Sequence, residues 1–155
     1  MSLQGMNVQG MNDADALALR CAETMWAEDA ASRGLGMVLE HVAAGQARLS
    51  MPVRADMVNG LGLCHGGFIF ALADSAMAFA ANGYGERAVA RHNAITYLRP
   101  GRLGETLVAE AVERSRAGRS GLYDVRVTGS SDDTVVAEFR GHVRLSGGRF
   151  FPAGG

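Results

Sequence analysis

The chain has no lysine: all 15 of its basic residues are arginine. That absence excludes a phosphate-binding loop built on Lys, a Schiff-base enzyme and a catalytic lysine of any kind. Cysteine is scarce too. Cys21 and Cys64 are the only two, too few for a disulfide framework or a four-sulfur zinc site. A reduced, cytoplasmic setting is the simpler expectation. Neither sign of charge dominates, with 15 basic against 16 acidic residues and a net charge of −1. The basic excess of a nucleic-acid binder is therefore missing. The four histidines show no paired helical spacing, so no metal site is expected. Residues 1–12 lack the basic start and apolar core of a signal peptide.

What remains suits one folded domain. The chain has 155 residues, 48% of them hydrophobic and 20% charged, ordinary values for a chain with a packed core. A disordered leader is expected over 1–12, the domain over 13–146 and a flexible tail over the Gly-rich 147–155.

Within the domain, Asp13 to about Ser32 has helical spacing, with Asp13 placed to cap the start. Two alternating stretches follow. Val38, Glu40 and Val42 oppose Met37, Leu39 and His41. After a turn at Ala44-Gly45, Ala47, Leu49, Met51 and Val53 oppose Arg48, Ser50 and Arg54. This period of two around a Gly turn predicts a β-hairpin. Three or four more strands are expected over 88–98, 106–116, 123–128 and 135–145. The last two have one apolar face each, as antiparallel strands do against a core.

Between the hairpin and the later strands lies the most informative segment. From Gly67 to Asn82 the sequence is Ala-rich and apolar on every side, which predicts a helix buried all round. At roughly 24 Å it is too short for a membrane span. The order of elements indicates an α+β fold, with one antiparallel sheet wrapped around this long central helix.

One ionisable group interrupts the helix, Asp74. A buried carboxylate without a partner costs several kcal/mol. Its helix neighbours Phe70, Ala71, Met77 and Ala78 cannot neutralise it. Either a partner comes from elsewhere, or the acid caps a neighbouring loop, or it faces a wet cavity. At the helix start, Gly66-Gly67 presents free N–H groups and a favourable dipole for an oxyanion; a plain tight turn is the alternative. The two groups lie eight residues apart, about 12 Å along one helix. A general base must lie within hydrogen-bond reach of its proton. If Gly66 and Asp74 cooperate, two antiparallel copies of the helix must bring one chain's Gly66 to the other's Asp74. That arrangement is a homodimer with two equivalent sites.

The run Asn59-x5-His65-Gly66-Gly67-x2-Phe70-x-Leu72-Ala73-Asp74-Ser75-Ala76 resembles the signature of hotdog-fold acyl-CoA thioesterases of the phenylacetate-degradation (PaaI) type. Tyr97-Leu98-Arg99-Pro100-Gly101, Gly104-Glu105-Thr106-Leu107 and Phe139-Arg140-Gly141 agree with it. The likeness runs from about Gly34 to Ser146. It implies a hotdog fold and hydrolysis of an aryl- or hydroxyarylacetyl-CoA thioester to the acid and free CoA. Asp74 is then the catalytic carboxylate, as base on a water or as nucleophile. Gly66 supplies the oxyanion N–H, Asn59 orients substrate or water, and Ser75 holds water near the carboxylate. His65, Gly67, Phe68 and Phe70 are expected around the substrate, with an apolar acyl pocket near Phe68, Phe70 and Leu72. No cofactor is expected, since CoA is part of the substrate and product. A homodimer, extended to a homotetramer, is the expected assembly, with neither nucleic acid nor membrane as partner.

His65 next to Cys64 invites a Cys-His nucleophile, but adjacent residues in an extended loop point apart, and His65 is better placed to hold the loop. Among the arginines, 87, 91, 99, 102, 116 and 119 are candidates for CoA phosphates. The alternatives are a medium-chain acyl-CoA thioesterase, a hotdog enoyl-CoA hydratase and a non-catalytic acyl-CoA-binding module.

Overall fold

The apolar run becomes a sixteen-residue helix, Gly66–Ala81, in a computed structural model that describes residues 9–152. The element order is α1 (Asp13–Glu28), α2 (Ala30–Gly34), β1 (Val38–Ala43), β2 (Gln46–Pro52), a 3-10 turn (Ala55–Met57), α3 (Gly66–Ala81), β3 (Glu86–Tyr97), β4 (Thr106–Ala117), β5 (Ser120–Gly129) and β6 (Val135–Arg149). The six strands form one sheet in the order β1-β2-β4-β5-β6-β3, every pair antiparallel. The sheet curls around α3, which is the α+β hotdog arrangement.

The helix is held by a stripe at three- and four-residue steps. Ile69, Leu72, Ala73, Ala76, Met77 and Ala80 are all buried. Against them stand Leu49 and Met51 of β2, Leu107 and Ala109 of β4, Val125 and Val127 of β5, and Ala137 and Phe139 of β6. The alanines let the sheet close tightly, because a small side chain brings backbone to backbone. The expectation that α3 is buried all round needs correction within one chain. Gly67 is exposed, and Ala71, Asp74 and Ala78 are only half-buried. These four sit at steps of four, three and four, so they form one open face.

The N-terminal helix is shorter than expected. It ends at Glu28, Asp29 starts α2 by accepting from Ser32 N, and Asn12 rather than Asp13 caps α1. The hairpin is present, but its register shifts between Leu39 and His41. An extra residue there breaks the period of two, so Leu39 and Val42 both face the core although strict alternation puts them on opposite faces. At the far end, β6 runs to Arg149, three residues past the expected boundary at 146. Arg149 pairs with Glu86, and Phe150 N–H donates to Gly85 at 3.0 Å. Most of the expected leader lies outside the described residues. Among those described, no helix is long and apolar enough to cross a membrane.

The two sheet edges differ. β1 is six residues long, whereas β3 is twelve residues long, has its own register shift between Ala90 and His92, and leaves Val89 half-exposed. A long edge with apolar side chains is a template for another strand.

Candidate active site

The loop before α3 folds back on itself through Asn59. Its Oδ1 accepts from Leu61 N at 2.9 Å and Leu63 N at 3.2 Å, and its own N–H donates to the Leu63 carbonyl. The side chain thereby imitates a backbone turn. A short bridge of Val58 with Cys64 closes the loop, and one of Leu63 with Arg102 ties it to the segment after β3. His65 then caps α3: its Nδ1 accepts from Gly67 N–H at 3.0 Å. Nδ1 is thus the acceptor nitrogen, and neutral His65 carries its proton on Nε2.

That cap divides the two glycines. The Gly67 amide is occupied by His65. The Gly66 amide donates to no group among the described residues, and Gly66 lines a cleft of about 490 Å³. Asn59, Leu63, Cys64, Ile69, Tyr97 and Leu98 are among its other walls. A free N–H at a helix N-terminus beside an apolar cleft is suited to a developing oxyanion.

The three residues expected around the acyl group have different surroundings within one chain. Leu72 is fully buried in the core. Phe70 stacks edge-on against Phe139, with ring centroids 5.4 Å apart. Phe68 stays half-buried beside the His65 ring. The apolar walls of the cleft within one chain are Leu63, Ile69, Leu98 and Pro100. Tyr97 is the residue that sequence reasoning left without a role. Its hydroxyl donates to the Gly66 carbonyl at 2.9 Å, which fastens the first turn of α3 to the end of β3.

Asp74 does not line this cleft. It sits on the open face of α3, and its partner comes from β3: Asn93 Nδ2 donates to Asp74 Oδ1 at 3.0 Å. Burial pushes the Asp74 carboxyl above the usual aspartate range, and the Asn93 hydrogen bond pulls it part of the way back. Nothing in the local pattern around residue 93 marks it, because the contact joins residues nineteen apart in sequence.

Ser75 faces another way. Its hydroxyl lies 2.9 Å from Ser32 Oγ, and Ser32 donates to Asp29 Oδ2 at 2.6 Å. Ser32 has one proton and spends it on Asp29, so Ser75 is the donor in their bond. The Ser75 proton thereby ties α3 to α2, while its oxygen keeps lone pairs that can accept from a water. Cys64 is buried, and burial pushes its thiol up, away from the thiolate a nucleophile needs.

Several arginines are already committed. Arg99 forks onto Glu105 at 2.6 and 3.1 Å, Arg87 lies over Phe150, Arg116 over Tyr84, and Arg119 donates to the Leu145 carbonyl. Of the six candidates, Arg91 and Arg102 keep unpaired guanidinium groups among the described residues. No cluster of three or more His, Cys, Asp or Glu side chains suited to a metal occurs among those residues.

Comparison with known proteins adds to this geometry. The thioesterase superfamily model matches residues 61–136. The acyl-coenzyme A thioesterase PaaI of Escherichia coli is 41% identical over 127 residues, spanning 82% of this chain and 90% of that protein. The solved structure of that E. coli protein, from the phenylacetic acid degradation operon, superposes with a TM-score of 0.86, covering 88% of this chain and 98% of its own. A variant of the phenylacetic acid degradation protein PaaI from Thermus thermophilus is 39% identical, with a TM-score of 0.70 and coverage of 74% and 96%. A Streptococcus mutans protein solved bound to acetyl-CoA is 26% identical, with a TM-score of 0.69 over 73% of this chain and 90% of that one.

Proposed function

This chain belongs to the thioesterase superfamily and is a thioester hydrolase, and we propose that its substrates are arylacetyl esters of coenzyme A, phenylacetyl-CoA and its ring-hydroxylated forms. The E. coli and T. thermophilus relatives support that acyl class. The apolar walls Leu63, Ile69, Leu98 and Pro100 suit it as well.

The observation that carries the mechanism is the division of the machinery along α3. An unclaimed amide, Gly66, lines the cleft, while the one carboxylate of the helix, Asp74, lies eight residues on, outside it. Two chains related by a two-fold axis reunite them. The open face of Gly67, Ala71, Asp74 and Ala78 is small enough for a second helix to approach, and the unpaired β3 edge offers a strand to its copy. The working unit is then a homodimer with two sites, and pairing of two dimers gives a homotetramer.

In each site the thioester carbonyl lies against the Gly66 amide of one chain. Asp74 of the other removes a proton from water as its oxygen bonds to the carbonyl carbon. Negative charge on the carbonyl oxygen is held by the Gly66 N–H. The tetrahedral intermediate collapses, the C–S bond breaks, and the CoA thiolate leaves and is protonated. The same geometry serves direct attack by Asp74, through a mixed anhydride that water then hydrolyses. Asn59, whose Nδ2 has no partner among the described residues and lies beside the cleft, orients the substrate or the water. His65 holds the loop through its cap. No cofactor enters; CoA arrives in the substrate and leaves as product. The two free, buried thiols support a reducing, cytoplasmic setting.

Asp74→Asn, followed by thiol release from phenylacetyl-CoA, tests the assignment. Loss of about 10²-fold or more is expected for a positioned base. Near-full turnover by a folded variant overturns it. Mixing Asp74→Asn chains with Gly66→Val chains tests the shared site. Random mixed dimers regain about one quarter of the wild-type rate if the site is shared, because half are hybrids with one intact site each. No recovery places both groups' work within one chain. A panel of CoA esters decides the acyl class, and faster turnover of medium-chain esters replaces the arylacetyl reading.

A further inference from the structure

Asn93 is half-buried on β3, as is Ile95 two residues on, while its neighbours His92 and Ala94 are exposed. One end of its amide donates to Asp74 Oδ1 at 3.0 Å. The other end, Oδ1, is buried and accepts from nothing among the described residues. A buried acceptor left unpaired is costly. Turning the amide over would not relieve the cost: it would set Oδ1 against the Asp74 oxygen, repelling the ionised carboxylate, and leave Nδ2 unpaired instead. The chosen orientation favours a charged Asp74 at the expense of the amide's own oxygen.

The surroundings keep that orientation. Asn93 sits opposite Gly141 on β6. A Cβ at 141 would lie 2.7 Å from Asn93 Oδ1 and would also strike the Met77 sulfur. Only a glycine there leaves room for the amide. Asp74 Oδ2, meanwhile, has no protein partner among the described residues.

We propose that Asn93 is the positioning residue of the Asp74 carboxylate: its amide N–H pins Oδ1 and leaves Oδ2 free to take the proton from the attacking water. The inference rests on the reading of Asp74 as the catalytic carboxylate. Within the chain, burial and Asn93 are the two influences on the acidity of Asp74. The other charges on packed elements are engaged or turned to solvent. Asp29 beside α2 is held by Ser32, and Glu113 of β4 by Tyr84 and Tyr123. Arg91 and His92 of β3, and Arg140, His142 and Arg144 of β6, are exposed. Across the sheet Arg48 pairs with Glu110, Arg126 with Glu138 and Asp124 with Arg140, and Arg20 of α1 lies over Phe151.

The test compares Asn93→Leu, Asn93→Asp and Asp74→Asn in the full chain, by kcat and KM for phenylacetyl-CoA across pH. Asn93→Leu is expected to lower kcat roughly ten- to hundredfold at neutral pH, the scale of a misplaced reacting group, with KM little changed. It also moves the acid limb of kcat/KM to higher pH, because the carboxylate loses the donor that favours its charge. Asn93→Asp puts a second carboxylate in that place and moves the limb further. A merely structural role leaves the limb where it is. If Asn93→Leu does not fold, the near-isosteric Asp variant carries the test. A wild-type limb and rate in the folded variants overturn the role of Asn93 while an inactive Asp74→Asn leaves the base in place. An active Asp74→Asn overturns the reading beneath it.

Discussion

Tyr97 and Gly66 are fitted to each other: the phenol donates to the Gly66 carbonyl at 2.9 Å, and a Cβ on residue 66 would lie 2.9 Å from both the ring Cζ and the hydroxyl oxygen. The glycine at the helix start therefore answers to the ring packed on it. Alanine keeps the N–H and is the better helix former, so its damage would come through Tyr97. We expect Gly66→Ala to lower kcat/KM by about tenfold or more, and to cost far less in a Tyr97→Ala background. A double-mutant cycle on kcat/KM reads that coupling directly; additive losses contradict it.

Asp74 carries a stability cost with its charge. Its folded carboxyl is held above the usual aspartate range, chiefly by burial. The folded state thus binds the proton more tightly than the unfolded chain does. The penalty is fully present above the folded pKa and is relieved as pH falls through it towards the ordinary aspartate value. Asp74→Asn is expected to abolish turnover while holding or raising the melting temperature at neutral pH. That gain shrinks as the pH falls through the Asp74 window. Thermal melts at several pH values check this, and a neutral-pH melting temperature well below wild type counts against it.

Gly141→Ala is expected to act through Asn93. The added methyl meets the Asn93 oxygen and the Met77 sulfur, both at the ends of movable side chains, so the fold survives with a displaced amide. Its kcat/KM profile should show the raised acid limb of Asn93→Leu. An unchanged profile together with a lowered melting temperature would mean that the methyl is absorbed by Met77 alone.

The Arg99–Glu105 pair braces the cleft wall. Arg99 also donates to the Pro100 carbonyl, and Glu105 accepts from Arg102 N. Hydrogen bonding to Arg99, the largest influence, holds the Glu105 carboxyl below the usual glutamate range. Its stabilisation is present above the unfolded glutamate pKa and is lost as pH falls through the lowered folded value. Glu105→Gln is expected to cost about 1–3 kcal/mol at neutral pH and to raise KM, because Pro100 lines the cleft. The difference from wild type should close in acid. Denaturant titrations at neutral and acidic pH check it.

Much of the frame could be read in advance because it is written in local periods. The stripe from Ile69 to Ala80 repeats at helical steps, and Tyr123, Val125 and Val127 alternate, since in each case one face meets the core. The bulge at Leu39–His41 escaped because an inserted residue does not alter composition, only phase. The extension of β6 to Arg149 escaped because its glycines look like a tail, and the strand resumes past them only where Arg149 pairs with Glu86 at the start of β3. The packing of Phe70 was not legible for a related reason. Its position on α3 is evident, but the Phe139 ring that claims it lies on a distant strand.

By itself, the sequence determined the elements, the Gly66 amide at the head of the long helix and the lone acid eight residues along it, since helical rise needs no more than the order of residues. Only the tertiary structure decided which amide is free, which apolar side chains wall the cleft, and which side chain holds the acid. His65 takes the Gly67 amide, Tyr97 grips the first turn, and Asn93 crosses from β3 to Asp74. The last two are contacts between residues far apart in the chain, and no local pattern encodes a meeting that depends on how the sheet wraps the helix.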